Sequence, residues 1–421
     1  MRGRAQQEKE KRMKKILFVL AGALLAATAF GQGKLTLAQG KVEIDKALKA
    51  YAAVWGKANN VETNIITSGG DNGDLSGILK SAYAAGELPD IFVIAGPDDV
   101  KDWSTVLADL SNEKWVSQTS VAYKENGKVI GQPVALEGWG MAYNADVLKA
   151  AGVDPLKLNN LAAYKAAFAK IDAQKAKLGL TSVVSMAASS GMGWVVAHHN
   201  VNSYLSNGLK YGDKSVAELA LAGKVDAKRL AEYSDWVELL FNYADKAVLT
   251  NGTYDDQVGA FAAGKAAFLH QGNWVDPNLA SAKITFKAAY APHGSSSAVT
   301  DGVFVNPPSW YVVNKSSKNL AAAKKFLNDL VFTEAGQKFQ VVDAGMIPAF
   351  KNITLKPAGP LSQSIQEWTA KGKIYSWNQY LLPNAFRNDV LAPIYNQWAL
   401  GQIDKKKFID LFTKAIATLK P

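Results

Sequence analysis

Between residues 35 and 103, short apolar runs alternate with amphipathic helical patterns, and that rhythm leaves few folds open. Residues 35–38 form an apolar run that turns out at Gln39-Gly40. Over 42–55, Ile44, Leu48, Tyr51, Ala52 and Trp55 recur on one helical face. Residues 61–66 alternate as a strand, 68–74 are dense in turn formers, and 75–85 are helical up to Gly86. Pro89-Asp90 leads into a buried strand at 91–94, and the turn 95–99 opens another helix. Strand and helix in strict alternation predict an α/β fold, a parallel sheet covered on both faces.

The pattern then changes. Residues 127–137 read as two extended pieces broken at Pro133, and 139–144 continue extended before a helix at 145–151. Helical spacing returns over 156–178 and 226–247, with a strand at 182–186 and a loop at 187–194 that ends in Trp194. A strand at 284–290, a Ser-rich loop at 291–302, an extended stretch at 304–313 around Pro307-Pro308, and helices at 320–330 and 333–341 follow. Residues 345–350 are extended, and 361–421 are mostly helical. Three crossings, near 138–144, 290–293 and 345–350, divide the chain into two lobes: 32–141 with 291–345, and 142–290 with 346–421. Two lobes exchanging three strands create a cleft, the usual setting for a small-ligand site and for hinge closure.

One stretch sits where such a site belongs. Residues 261–274 (FAAGKAAFLHQGNW) run from a helix through Gly264 into the apolar run Ala266-Ala267-Phe268-Leu269 and end beyond it on Trp274. Ligands of open α/β sheets bind past the carboxyl ends of strands.

The N-terminus is set apart from the fold. Arg12, Lys14 and Lys15 precede an apolar run at 16–30, and Ala29-Phe30-Gly31 supplies small residues for cleavage before Gln32, so 1–31 read as a secretory signal peptide. Residues 1–12 look like an over-extended start, since Met13-Lys14-Lys15 is a more usual opening. The expected destination is the periplasm or the cell exterior. The chain contains no Cys, which excludes disulfides, thiolate metal sites, a Cys nucleophile and a lipid-modified Cys. Removing 1–31 reduces the formal charge from +10 to +5, with Lys dispersed along the chain, a pattern of solvated helix faces and not a nucleic-acid footprint.

A set of segments in order then resembles a known family. They are Glu87-Leu88-Pro89-Asp90-Ile91, Gly127-Lys128-Val129-Ile130-Gly131-Gln132-Pro133, Tyr143-Asn144-Ala145-Asp146-Val147-Leu148, the 261–274 stretch, 321–327, Thr333-Glu334-Ala335-Gly336 and Gly345-Met346-Ile347-Pro348. The mature chain resembles the sugar-binding, maltodextrin-type branch of the extracellular solute-binding proteins of ABC importers over nearly its whole length. The resemblance implies a type II periplasmic binding protein, with two α/β lobes joined by a multi-strand hinge around a ligand cleft. It implies a monomer without cofactor or metal that hands a carbohydrate to the permease subunits in the membrane. It also implies that Trp274 stacks on sugar, that Glu137 is a cleft acid, and that Asp98 is a polar cleft position.

A sugar presents apolar C–H faces and a ring of hydroxyls, which aromatic faces and carboxylates or amides complement respectively. The candidate platforms are Trp139, Trp194, Trp274, Trp310 and Trp377, and the candidate polar partners are Gln39, Asp71, Asp98, Glu137 and Arg387. Each has a plainer alternative: hinge packing for Trp139 and Trp310, lobe packing for Trp194 and Trp377, a helix cap for Asp71, a surface ion pair for Arg387. Trp55, Trp103, Trp236 and Trp398 fit apolar helix faces and are expected in the core. A binding protein for a cationic solute such as a polyamine would use the same residue types. A secreted glycosidase would need two carboxylates across the cleft, such as Glu137 and Asp98. The Gly-rich loops lack a phosphate-loop Lys, and adjacent His198-His199 diverge on any regular element, which disfavours nucleotide and metal sites.

Overall fold

The computed structural model describes residues 33–69 and 74–420. The expected signal peptide and Asp71 lie outside the described residues. Twelve strands are described: β1 (Lys34–Gln39), β2 (Glu62–Thr67), β3 (Ile91–Ile94), β4 (Tyr123–Glu125), β5 (Lys128–Pro133), β6 (Glu137–Asn144), β7 (Ser182–Ser185), β8 (Ala266–Gly272), β9 (Ala288–Ala291), β10 (Val303–Asn306), β11 (Trp310–Val313) and β12 (Ile374–Tyr375). They form two sheets, in the orders β2-β1-β3-β11-β5-β4 and β12-β10-β6-β8-β7, with β9 also pairing with β6.

The N-terminal rhythm gives what it predicts. β1 lies parallel to both β2 and β3, with Leu37 opposite Ile65 and Ile91. The helix Asp45–Asn59 buries Leu48, Tyr51, Ala52 and Trp55 against this sheet and ends on Asn60 in the left-handed region (φ 54°), a conformation Asn tolerates. Tyr51 stacks on Phe339, and Trp55 meets Phe326 edge-on while its indole N–H donates to Asp329 at 2.8 Å.

The chain changes sheet at three places. β5 belongs to the first sheet and β6 to the second, with only 134–136 between them. β10 and β11 are separated only by 307–309 yet pair with β6 and β3 respectively. The sequence alone suggested one extended run there; Pro307-Pro308 breaks it because neither residue offers a backbone N–H to a ladder. Near 347 the returning chain bonds the first crossing, where Leu136 N–H donates to Ile347 O at 2.8 Å. Met346, Phe350 and Ile353 pack into the first core, whereas Leu361 and Ile365 of the helix Pro360–Ala370 pack into the second.

Two further expectations differ from the structure. The helical pattern over 226–247 is two helices, Ala227–Tyr243 and Lys246–Asn251, because Asp245 caps the second by accepting from the backbone N–H groups of Ala247 and Val248. The strand expected over 284–290 is paired only at Ala288–Ala291.

Close approach at the first crossing depends on a glycine. A Cβ on Gly138 would lie 2.2 Å from Cδ1 of Ile365 and 2.7 Å from its Cγ1. The Gly138 N–H also donates to the Asn273 side chain, which in turn donates to Ser362. Gly138→Val should therefore lower stability by about 1–3 kcal/mol through overpacking, measured as a shift in the urea midpoint without a change in slope.

Candidate functional site

The ends of several strands converge on one cavity of about 570 Å³ between the sheets. That size is ordinary for small-molecule sites, about 300–1,000 Å³. Its walls include the turn after β1 (Gly40 to Glu43), the start of β6 (Glu137), the loop after β7 (Ser190 to Trp194), Trp274 after β8, and Trp377 and Tyr380 after β12. Tyr254, His199, Pro308 and Asn388 complete much of the rest.

The aromatic wall is continuous. The His199 ring lies 4.9 Å from that of Trp274, 5.3 Å from Trp194 and 5.7 Å from Trp377. Trp274 lies 6.3 Å from both Trp194 and Trp377, and Trp377 lies 5.9 Å from Tyr380. Trp194 and Trp274 are half-buried, so each keeps part of its ring accessible from the cleft. The Trp274 indole N–H donates to the buried Gln271 at 3.0 Å, which fixes the ring. The ring folds back over Gly272, where a Cβ would lie 2.0 Å from ring atom Cζ3. Gly272→Ala should push the indole off its Gln271 bond, weaken ligand binding about tenfold by calorimetry, and lower stability by about 1–3 kcal/mol as the buried Gln271 side chain loses its donor.

The polar wall is a buried ion triad. Lys41 reaches both Glu43, at 2.5 Å, and Glu137. All three side chains are at most 17% exposed, so solvent screens the triad poorly. Burial opposes the Lys41 charge, but Glu137 and Glu43 outweigh it and raise its pKa. Burial pushes the Glu137 carboxyl up, and Lys41 pulls it only part of the way back. Lys41 and Glu43 come from the first sheet's side and Glu137 from the second sheet, so the triad bridges the cleft.

A π-helix, Trp194–Asn200, carries part of this wall. Single π turns occur frequently at functional sites. It turns His199 into the aromatic cluster and His198 away from it, toward Arg387 and Asn388. Burial holds both imidazoles well below the usual histidine range.

Of the residues singled out from the sequence, Trp194, Trp274, Trp377 and Glu137 line the cavity together. Trp139 does not: it is fully buried behind the wall, stacked on Phe304 at 4.3 Å and flanked by His199, His270 and His293. Trp310 lies in a separate apolar cluster on the first sheet with Phe92, Ile94 and Trp103, edge-on to Tyr123, with its N–H on Val121 O at 2.7 Å. Both therefore follow the packing alternative. Gln39 is buried and closes the turn after β1, donating to Thr67 and to Lys41 O. Asp98 and Arg387 meet neither the cavity nor each other directly; both bind Asn384. Arg387 is buried, not a surface ion pair, and burial lowers its pKa to about 10. Trp55, Trp103 and Trp236 are core as expected, and Trp398 packs partly buried against it.

Lys41, Glu43, His199, Tyr254 and Tyr380 were not found from the sequence. Lys41 and Glu43 had a usable signal, since they follow the carboxyl end of β1 as Trp274 follows β8.

Residues 46–373 match the family described as bacterial extracellular solute-binding protein. A maltooligosaccharide ABC transporter solute-binding lipoprotein of Streptococcus pneumoniae strain R6 is 26% identical over 346 residues, spanning 79% of this chain and 77% of that protein. The solved structure of the solute-binding protein RafE in complex with raffinose superimposes with a TM-score of 0.76 at 19% identity, covering 92% of this chain and 100% of that one. A sugar transporter of Bacillus licheniformis in complex with stachyose gives a TM-score of 0.73 at 17% identity, covering 92% and 100%. The shared fold is that of the type II periplasmic binding proteins, two α/β lobes joined by several strands around a cleft. With its family profile matched over most of its length, the chain belongs to the bacterial extracellular solute-binding proteins.

Proposed function

We propose that the protein is the sugar receptor of an ABC importer: it binds a sugar or oligosaccharide in the interlobe cavity, closes about the strand crossings, and delivers the ligand to a membrane permease. The observation that carries this reading is the joint wall of Trp194, Trp274, Trp377 and Tyr380 facing the Lys41–Glu43–Glu137 triad. Aromatic faces suit sugar C–H surfaces, and the triad offers both donors and acceptors to hydroxyls without a large net charge. The relatives named for maltooligosaccharide, raffinose and stachyose support the same class. The lobes are drawn at 134–136, 307–309 and about 347–360, which assigns β6 and β10 to the second lobe. Closure needs contacts with both lobes, since only differential contacts shift such an equilibrium.

Two other readings are weaker. A cationic solute would seek the acids, but Lys41 is paired with both Glu43 and Glu137 and offsets half of their charge. A glycosidase would need two free carboxylates across the cleft, but Glu43 and Glu137 are both held by Lys41, and Asp98 lies off the cavity, accepting from the backbone N–H of Asn384 at 2.9 Å. Calorimetric titration with raffinose, stachyose, maltotriose and spermidine tests the proposal. Saturable, salt-insensitive binding of a sugar that is recovered unchanged supports it. Binding of spermidine alone, or steady conversion of a sugar, overturns it.

A further inference from the structure

Away from the triad's own contacts, the lobes also meet at Asn384. The helix Pro97–Trp103 packs on the first sheet, where Val100 and Trp103 join Phe92 and Ile94. The segment 377–391 belongs to the second lobe, with Leu382, Phe386 and Leu391 in its core. Asn384 stands between them. Its backbone N–H donates to Asp98 Oδ2 at 2.9 Å, and its side-chain Nδ2 donates to Asp99 Oδ1 at 3.0 Å. Its Oδ1 accepts from Arg387 Nη2. Only one amide orientation serves both neighbours, because a carboxylate needs a donor and a guanidinium needs an acceptor.

From Arg387 the network reaches the ligand cavity. The guanidinium lies 5.5 Å from the ring centroid of Tyr380, a cavity-wall residue. Its Nη1 donates to His198 Nδ1 at 2.5 Å, which places the imidazole proton on Nε2, bonded to Asn388 Oδ1 at 2.7 Å. His198 precedes His199, the ring that backs Trp274, Trp194 and Trp377. The lobes are also in contact beside this network, where a Cβ on Gly96 would lie 3.2 Å from Tyr380 Cβ.

We propose that Asn384 is the positioning residue of this receptor: it latches the first lobe, through Asp98 and Asp99, to the Arg387–Tyr380 wall of the binding cavity and so sets the closed state. Asn384 does not touch the cavity. It acts on ligand residence and on the open–closed balance, and leaves the choice among sugars to the wall residues. This rests on the proposed receptor function only where a ligand is used; the latch itself is testable without one.

Asn384→Asp is the informative change. It keeps the acceptor for Arg387 but sets a carboxylate against Asp99, so the latch turns repulsive. Asp99→Asn in the same chain restores a donor across the gap. Its amide oxygen can still accept from the Ala95 N–H, which Asp99 binds at 2.6 Å. The chain has no Cys, so Ala84→Cys and Lys210→Cys, one site on each lobe, give a clean spin-label pair. In the unliganded protein, N384D should shift the distance distribution toward the open form by about tenfold in population ratio, and D99N/N384D should shift it back. With raffinose or maltotriose as probe, whichever binds, N384D should speed dissociation about tenfold while preserving the ranking of sugars. Unchanged distances in N384D overturn the latch whatever the ligand proves to be. So does a folded D99N/N384D protein that stays as open as N384D. A protein that binds spermidine and no sugar while its distances respond overturns the sugar reading and leaves the latch established.

Discussion

Trp274→Ala should lower sugar affinity about a hundredfold, about 2.7 kcal/mol, while the protein stays folded. The indole is half-buried, sits at the carboxyl end of β8 and joins the rings of Trp194, His199 and Trp377 into one wall. Truncation removes the largest apolar face a sugar ring could cover. It also leaves the buried Gln271 carbonyl without the N–H it accepts, so stability should fall by about 1–3 kcal/mol. The two effects separate through Trp274→Phe. Phe keeps an aromatic face and loses the N–H, so it should share the stability loss and retain most of the affinity. Calorimetry is the appropriate measure, since removing an indole alters fluorescence regardless of binding. Equal affinity losses for Ala and Phe would assign the indole's contribution to its hydrogen bond and not to stacking.

Trp274 was legible in the sequence for a physical reason. A helix stop at Gly264, a short apolar run and an aromatic just beyond it form a local signal, and every part lies within fourteen residues. Gly264 does adopt the left-handed conformation, at φ 68°. The first sheet was legible for the same reason, because the parallel β1, β2 and β3 are written as consecutive units. What stayed hidden depends on contacts distant in sequence. Lys41 and Glu137 are 96 residues apart, and Asn384 and Asp98 are 286 apart. Lys41 stood at the entrance to a helical pattern and read as solvated. Trp139 and Trp310 misled because position on a crossing strand does not say which face of the sheet a side chain takes. Trp139 faces Phe304 across β6 and β10 and never reaches the cleft. That His198 and His199 diverge followed from their adjacency, but their place in the wall did not, because no apolar spacing announces the π turn.

Lys41→Met should cost about 3–5 kcal/mol of stability near neutral pH, the largest stability effect expected at the site. The substitution preserves much of the side chain's volume but leaves Glu43 and Glu137 as close, poorly solvated acids without their cation. The pH dependence has a definite sign. In the wild type the Lys41 pKa is raised in the folded state, so its contribution is fully present below the unfolded value near 10.4 and disappears as pH rises through the folded value. The gap between wild type and variant should therefore be flat from neutrality to about pH 10 and narrow only above it. On the acid side Glu137 governs the variant. Burial already raises its folded pKa, and loss of Lys41 raises it further. A carboxyl with a raised folded pKa binds its proton more tightly when folded, so the variant regains stability as pH falls through that pKa, and the gap narrows on acidification. Glu137→Gln in the Lys41→Met background should recover part of the loss at pH 7 and abolish most of the acid-side narrowing. Urea midpoints at pH 5, 7 and 10 for the wild type and both variants decide the matter. A gap that does not change between pH 5 and 7 would mean that the cost of Lys41→Met is one of packing, and that the triad's charges contribute little to holding the lobes together.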